Sequence, residues 1–66
     1  NAVAPGLVET PWTKDWQNQH DGVKAITPLH RSATPEDCVE ATLGLLRTTY
    51  ATGQIFVVDG GLTQVM

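Results

Sequence analysis

The chain opens on an apolar run, Asn1-Ala2-Val3-Ala4, that meets Pro5-Gly6. This pattern predicts a short strand ending near Ala4, because proline lacks the ladder donor and glycine permits a sharp turn. Leu7 to Thr13 reads as loop, with Pro11 opposing an early helix. Trp12, Trp16, Gln19, Val23 and Ile26 then recur at spacings of three and four, which makes one partly apolar helical face. Gly22 and the polar Gln17-Asn18-Gln19 weaken that signal. A short, partly exposed helix or two is predicted between Lys14 and Ile26, followed by loop from Thr27 to Ala33 around Pro28.

Thr34-Pro35-Glu36-Asp37 is the strongest local signal. Thr34 can cap a helix, Pro35 suits its first position, and Asp37 can close a capping box. Glu36 and Asp37 also suit the positive end of a helix dipole, and Arg47 the negative end. Cys38, Val39, Thr42, Leu45 and Leu46 make one apolar face of a helix predicted over Pro35 to Thr48. Gly53 leads into Gln54 to Asp59, where Ile55-Phe56-Val57-Val58 are four consecutive apolar residues, three of them β-branched. A run without alternation predicts a strand buried on both faces, as inside a parallel sheet. Gly60-Gly61 ends it, and Leu62 to Met66 reads as a tail. The order of elements predicts an α/β crossover unit joining two parallel strands, right-handed by default. Such a unit covers only part of Ile55 to Val58, so more sheet is expected beside it.

Composition sharpens this picture. A chain of 66 residues buries only about 60% of the surface its unfolded form exposes. Its single cysteine, Cys38, allows no internal disulfide, and no histidine or cysteine cluster has metal-ligand spacing. Four basic residues against seven acidic ones give a net charge of −3, which argues against nucleic acid or an anionic membrane as partner. Hydrophobic content of 41% with 17% charged residues is globular rather than disordered. No apolar run approaches the ~20 residues of a membrane span. The chain starts at Asn1 inside an apolar run and lacks a leader pattern, so a piece of a larger protein in a reducing, cytoplasmic setting is expected.

Several chemistry-bearing residues read as structural. His20 and His30 have no partner at metal-ligand spacing and read as surface or loop histidines. Glu9 and Asp15 are an acid pair by spacing alone, and Cys38 on its apolar face reads as a core residue. Asp59-Gly60-Gly61 follows a strand but opens no helix, so it is not a phosphate loop. By themselves, Pro5-Gly6 is a strand-ending turn and Thr10 a loop residue.

Three segments together carry a resemblance. Asn1-Ala2-Val3-Ala4-Pro5-Gly6-Leu7-Val8-Glu9-Thr10-Pro11-Trp12 resembles the segment after the sixth strand of the short-chain dehydrogenase/reductase family. Pro28-Leu29-His30-Arg31 with Thr34-Pro35-Glu36-Asp37 resembles the entry to that family's last large helix. Thr52-Gly53-Gln54-Ile55-Phe56-Val57-Val58-Asp59-Gly60-Gly61 resembles its final strand and terminal turn. The order and spacing match over nearly the whole chain.

The resemblance implies the C-terminal part of a Rossmann-type, doubly wound parallel sheet that binds NAD or NADP at the carboxyl ends of its strands. Residues 12–30 would be the substrate-binding loop, 35–48 the last large helix and 54–59 the last strand. The Pro5-Gly6 segment would lie against the nicotinamide. The main chain of Val8 would hydrogen-bond its carboxamide, and the Thr10 hydroxyl would contact the carboxamide or pyrophosphate. Trp12 and Trp16 would wall a substrate lid or anchor it to the body. His30 stands where many members have glycine, and Arg31 matches a basic position expected to pair within the loop. The family's glycine-rich cofactor turn and Tyr-x-x-x-Lys pair are not in this sequence; Tyr50 is followed four residues on by Gln54. No catalytic residue is therefore assigned, and this polypeptide alone is expected to be inert. The implied parent transfers a hydride between nicotinamide and a carbonyl or alcohol substrate, nearest to the ketoacyl-reductase and sugar or small-alcohol dehydrogenase branches. A homodimer or homotetramer through the last strand is implied as well. The alternatives are a non-catalytic binding or scaffold relative and a stand-alone interaction fragment.

Overall fold

The computed structural model describes all residues from Asn1 to Met66. The elements run β1 (Ala2–Pro5), α1 (Gln17–Ile26), α2 (Pro35–Arg47), β2 (Ile55–Val58) and a short 3-10 turn at Leu62–Gln64. β1 and β2 pair in parallel with Ala2 opposite Ile55 and Pro5 opposite Val58, so the two helices lie on a crossover between neighbouring strands. The predicted strand end at Ala4 is one residue short. Ala2 N–H donates to the Gln54 carbonyl (2.8 Å) and Gly6 N–H to that of Val58 (3.0 Å). Alternate residues turn their nitrogens to opposite edges of a strand, so the donor that Pro5 lacks would have faced away from β2.

α2 forms where the capping signals lie. Thr34 Oγ1 accepts from Asp37 N–H at 3.2 Å, and Asp37 Oδ2 accepts from Thr34 N–H at 2.7 Å. This reciprocal pair closes the capping box, with Pro35 opening the helix and Thr48 as its C-terminal cap residue. The helix packs on both strands by a face that shares only Cys38 and Leu45 with the one expected. Its inward stripe is Asp37, Cys38, Ala41 and Leu45, of which only Ala41 is buried. Val39 and Leu46 are 56% and 76% exposed, and Thr42 is exposed too. Cys38 is half-buried rather than a core residue. Only two strands are there for α2 to pack on, and Ala41 is its one buried residue.

α1 begins at Gln17, three residues later than predicted, because Pro11 to Asp15 are used in turns. Its first intrahelical bond runs from His20 N–H to the Trp16 carbonyl (3.0 Å).

Burial is unusual for an α/β unit. Five residues are buried, and four of them (Thr13, His20, Thr27 and Ser32) are polar. Ile55, Phe56 and Val57 are 70%, 45% and 47% exposed, so the expectation of a strand buried on both faces is not met within this chain. β2 has one neighbouring strand and one covering helix, which leaves an edge and most of a face open.

The carboxyl ends of the strands are the tightest region. A Cβ on Gly6 would lie 2.9 Å from the Asp59 Cβ. Asp59 in turn accepts from Gly61 N–H (2.9 Å) and Thr63 N–H (3.0 Å). The backbone donors of Thr63, first, and Gly61 hold its carboxyl below the ordinary carboxylate range. Gly61, at φ 94°, packs against the Pro28 ring in a conformation that only glycine adopts freely. Residues after β2 are therefore an ordered turn rather than the predicted tail. No helix is long and apolar enough to cross a membrane.

Candidate functional site

The segment after Pro5-Gly6 is held by a single parallel bridge. Ala33 N–H donates to the Leu7 carbonyl and Glu9 N–H to the Ala33 carbonyl, both at 2.8 Å, which sets Val8 opposite Ala33. The polar groups of Val8 then face away from that bridge. Its carbonyl accepts from Thr13 Oγ1 at 2.5 Å. Its N–H enters no hydrogen bond within the chain.

Thr10 and Thr13 lock one another. Thr10 N–H donates to Thr13 Oγ1 (3.1 Å), and Thr13 N–H donates to Thr10 Oγ1 (3.2 Å). Serine and threonine hydroxyls commonly bond nearby backbone in this way, which fixes a turn and opposes helix. This is the physical reason α1 starts late. Val8 and Thr10 are thus brought together by Thr13, a residue the sequence pattern did not single out.

His20 corrects the surface reading. It is only 5% exposed, and both ring nitrogens are engaged. Nδ1 lies 2.5 Å from Ser32 Oγ, and Nε2 lies 3.1 Å from the Thr13 carbonyl. His30 remains in a loop, exposed, with its ring nitrogen 3.1 Å from the Lys24 carbonyl. Its φ of 55° is left-handed, a conformation that suits glycine best and that histidine tolerates better than branched residues. Arg31 does pair, but with the first turn of α2 rather than within the loop: its guanidinium meets Asp37 at 2.7 and 3.2 Å in a two-pronged contact. That contact raises the Arg31 pKa. The Arg31 pair, and then the Thr34 N–H, hold the Asp37 carboxyl well below the ordinary carboxylate range.

Beside Thr10 and His20 lies an open polar cleft of about 370 Å³, lined also by Glu9, Lys14, Gln17 and Lys24 among others. Trp12 and Trp16 stand outside it. Their rings tilt 59° against each other with centroids 6.0 Å apart. Trp12 is 82% exposed and Trp16 39%. Pro5 is exposed at the strand end, and Gly6 is half-buried against Asp59. No group of three or more His, Cys, Asp or Glu side chains is arranged to hold a metal.

Residues 1–63 match the family model described as enoyl-(acyl carrier protein) reductase. The chain is 55% identical over 64 residues to the protein assigned as ketoacyl reductase 2 of the granaticin polyketide synthase in Streptomyces violaceoruber, covering 92% of this chain and 26% of that protein. It is 41% identical over 66 residues to human 3-oxoacyl-[acyl-carrier-protein] reductase, covering all of this chain and 27% of that protein. With carbonyl reductase family member 4 of Xenopus laevis it shares 42% identity over 62 residues, 94% of this chain and 25% of the relative. The chain spans about a quarter of the length of these curated relatives. No solved structure matches it significantly.

Proposed function

The chain belongs to the short-chain dehydrogenase/reductase family, and from that premise we propose that it serves as the C-terminal segment of an NAD(P)-dependent carbonyl reductase. The remainder of the Rossmann domain would supply the catalytic residues and complete the sheet beside β1 and β2. The bound nicotinamide would supply the hydride that converts a carbonyl to an alcohol. This chain would bind and orient the nicotinamide and cover the substrate.

The observation that carries the reading is Val8. Its N–H is unused within the chain, and its carbonyl has a second lone pair beyond the bond from Thr13. A carboxamide offers the complement, an oxygen that accepts and an NH2 that donates. The two groups match a carboxamide in donor and acceptor type. Thr10 sits two residues on, although its hydroxyl is already shared with Thr13. Pro5 and Gly6 bring the backbone to the carboxyl ends of the strands, where nucleotides bind in such sheets. Residues 12–30 act as the lid in this reading, with Trp12 and Trp16 available as an apolar wall for substrate. The ketoacyl and 3-oxoacyl names of the relatives make a ketone next to an acyl group the first substrate class to try. The exposed Ile55, Phe56 and Val57 are surface for the missing sheet and for a second copy in a homodimer or homotetramer. A reducing, cytoplasmic setting suits the free Cys38 thiol.

The test is oxidation of NADH or NADPH by the whole protein against a panel of 3-oxoacyl thioesters, ketones and aldehydes. Carbonyl-dependent loss of the reduced cofactor is expected. Absence of turnover across the panel overturns the reductase reading, and cofactor binding without turnover would replace it with the non-catalytic relative.

A further inference from the structure

The buried polar residues are not scattered. Three of the four join one hydrogen-bonded path that ends at Val8. A carbonyl oxygen can only accept, so His20 Nε2, which faces the Thr13 carbonyl, carries the proton. Nδ1 is then the acceptor for the Ser32 hydroxyl, a tautomer assigned from the partners themselves. Ser32 immediately precedes Ala33, the residue bridged to Val8. The Thr13 hydroxyl has one proton to give. Val8 takes it at 2.5 Å, whereas the Thr10 carbonyl lies farther off at 3.4 Å. The path therefore ties α1, the loop before α2 and the Val8 carbonyl into one unit. All three side chains are more than nine-tenths buried, so water competes little for these bonds.

We propose that Thr13 is a positioning residue for the nicotinamide: its hydroxyl fixes the Val8 carbonyl toward the carboxamide NH2, and His20 and Ser32 hold Thr13 in place. This rests on the preceding reading that Val8 seats a carboxamide. The advantage is preorganisation. A carbonyl already held in its bonding direction loses little freedom when the cofactor arrives. The same path makes docking of α1 a condition for a well-formed seat, so cover and cofactor site are ordered together.

The experiment compares the dissociation constants of NAD(P)H and of its 3-acetylpyridine analogue in the whole protein. The analogue replaces the carboxamide by an acetyl group and has no NH2 to offer Val8. Thr13→Val keeps the shape and removes the hydroxyl. It is expected to weaken the natural cofactor about three- to tenfold, the worth of one neutral hydrogen bond, and to leave the analogue unchanged. Thr13→Ser is expected to restore the natural cofactor. Ser32→Ala, a milder change at the far end of the path, is expected to show the same selectivity if Thr13→Val does not fold. Equal loss for both cofactors, or no loss for either, overturns the proposal. Wild-type protein that binds neither dinucleotide overturns the function reading itself and this inference with it.

Discussion

Gly6→Ala tests the close approach of β1 to the end of β2. The added Cβ would meet Asp59 Cβ at 2.9 Å and Asp59 Cα at 3.0 Å. Carbon atoms in comfortable contact sit about 3.5–4.0 Å apart, so roughly 0.5 Å or more must be found. Asp59 cannot swing aside easily, because Gly61 and Thr63 N–H groups hold both its oxygens. The strand ends must therefore part, which stretches the 3.0 Å bond from Gly6 N–H to the Val58 carbonyl. Overpacking of this kind with a weakened backbone bond costs about 2–3 kcal/mol. In a whole domain of some 150–250 residues that lowers Tm by about 4–12 °C. Thermal unfolding followed by circular dichroism reads the shift. Gly22→Ala is the matched control: nothing lies within 4 Å of a Cβ there, and the position is inside α1. Alanine in a helix interior should add about 0.5–1 kcal/mol. A Gly6→Ala protein that melts with or above the wild type refutes the clamp at the strand ends. Equal losses from both alanines refute the claim that contact, rather than glycine content, decides the sign.

Other consequences are open to measurement. Thr34→Ala removes the side-chain acceptor of the capping box and should cost about 1 kcal/mol in a urea titration, within a range of about 0.5–2; no change would mean that the cap does not stabilise α2. Asp37 has its pKa lowered by Arg31 and then by Thr34, so its contribution is present above the unfolded value near pH 3.9 and is lost as pH falls through the folded value. The stability gap between wild type and Asp37→Asn should therefore narrow on acidification below about pH 4, and a gap independent of pH would contradict the pairing. The isolated polypeptide, with Ala41 as its one buried apolar residue, should unfold without a cooperative transition and bind a hydrophobic dye. A sharp calorimetric peak for the 66-residue chain would favour a stand-alone module instead.

What was legible in the sequence follows the range of the interactions involved. The capping box of α2 spans four adjacent residues, so Thr34-Pro35-Glu36-Asp37 announces it directly. The parallel pairing of β1 and β2 was inferable from the order of elements and the unbroken run Ile55 to Val58. The orientation of α2 was not, because the face that packs depends on how many strands lie beneath it. Val39 and Leu46 are as apolar as Leu45, yet Cys38, Ala41 and Leu45 are the ones buried or half-buried. His20 was misread for a related reason. Its partners Thr13 and Ser32 are seven and twelve residues away, and neither forms a recognisable motif with it. The late start of α1 had a visible cause in Thr10 and Thr13, whose spacing suits a side-chain-locked turn. For the site, Val8 and Thr10 could be named only through the family resemblance, and Thr13 between them and His20 emerged from geometry alone.

The pairing of β1 with β2 also sets an order of events in folding. The Asn1 side chain meets the Gln54 backbone across 53 residues, so the strand pair closes a loop that takes in almost the whole chain. By the logarithmic cost of loop closure, that step alone opposes folding by roughly 3–4 kcal/mol. α2 and the Thr10–Thr13 turn need no such closure and can form from neighbours. On the cost of closing so long a loop, the β1–β2 pairing is expected to form after α2 and the Thr10–Thr13 turn.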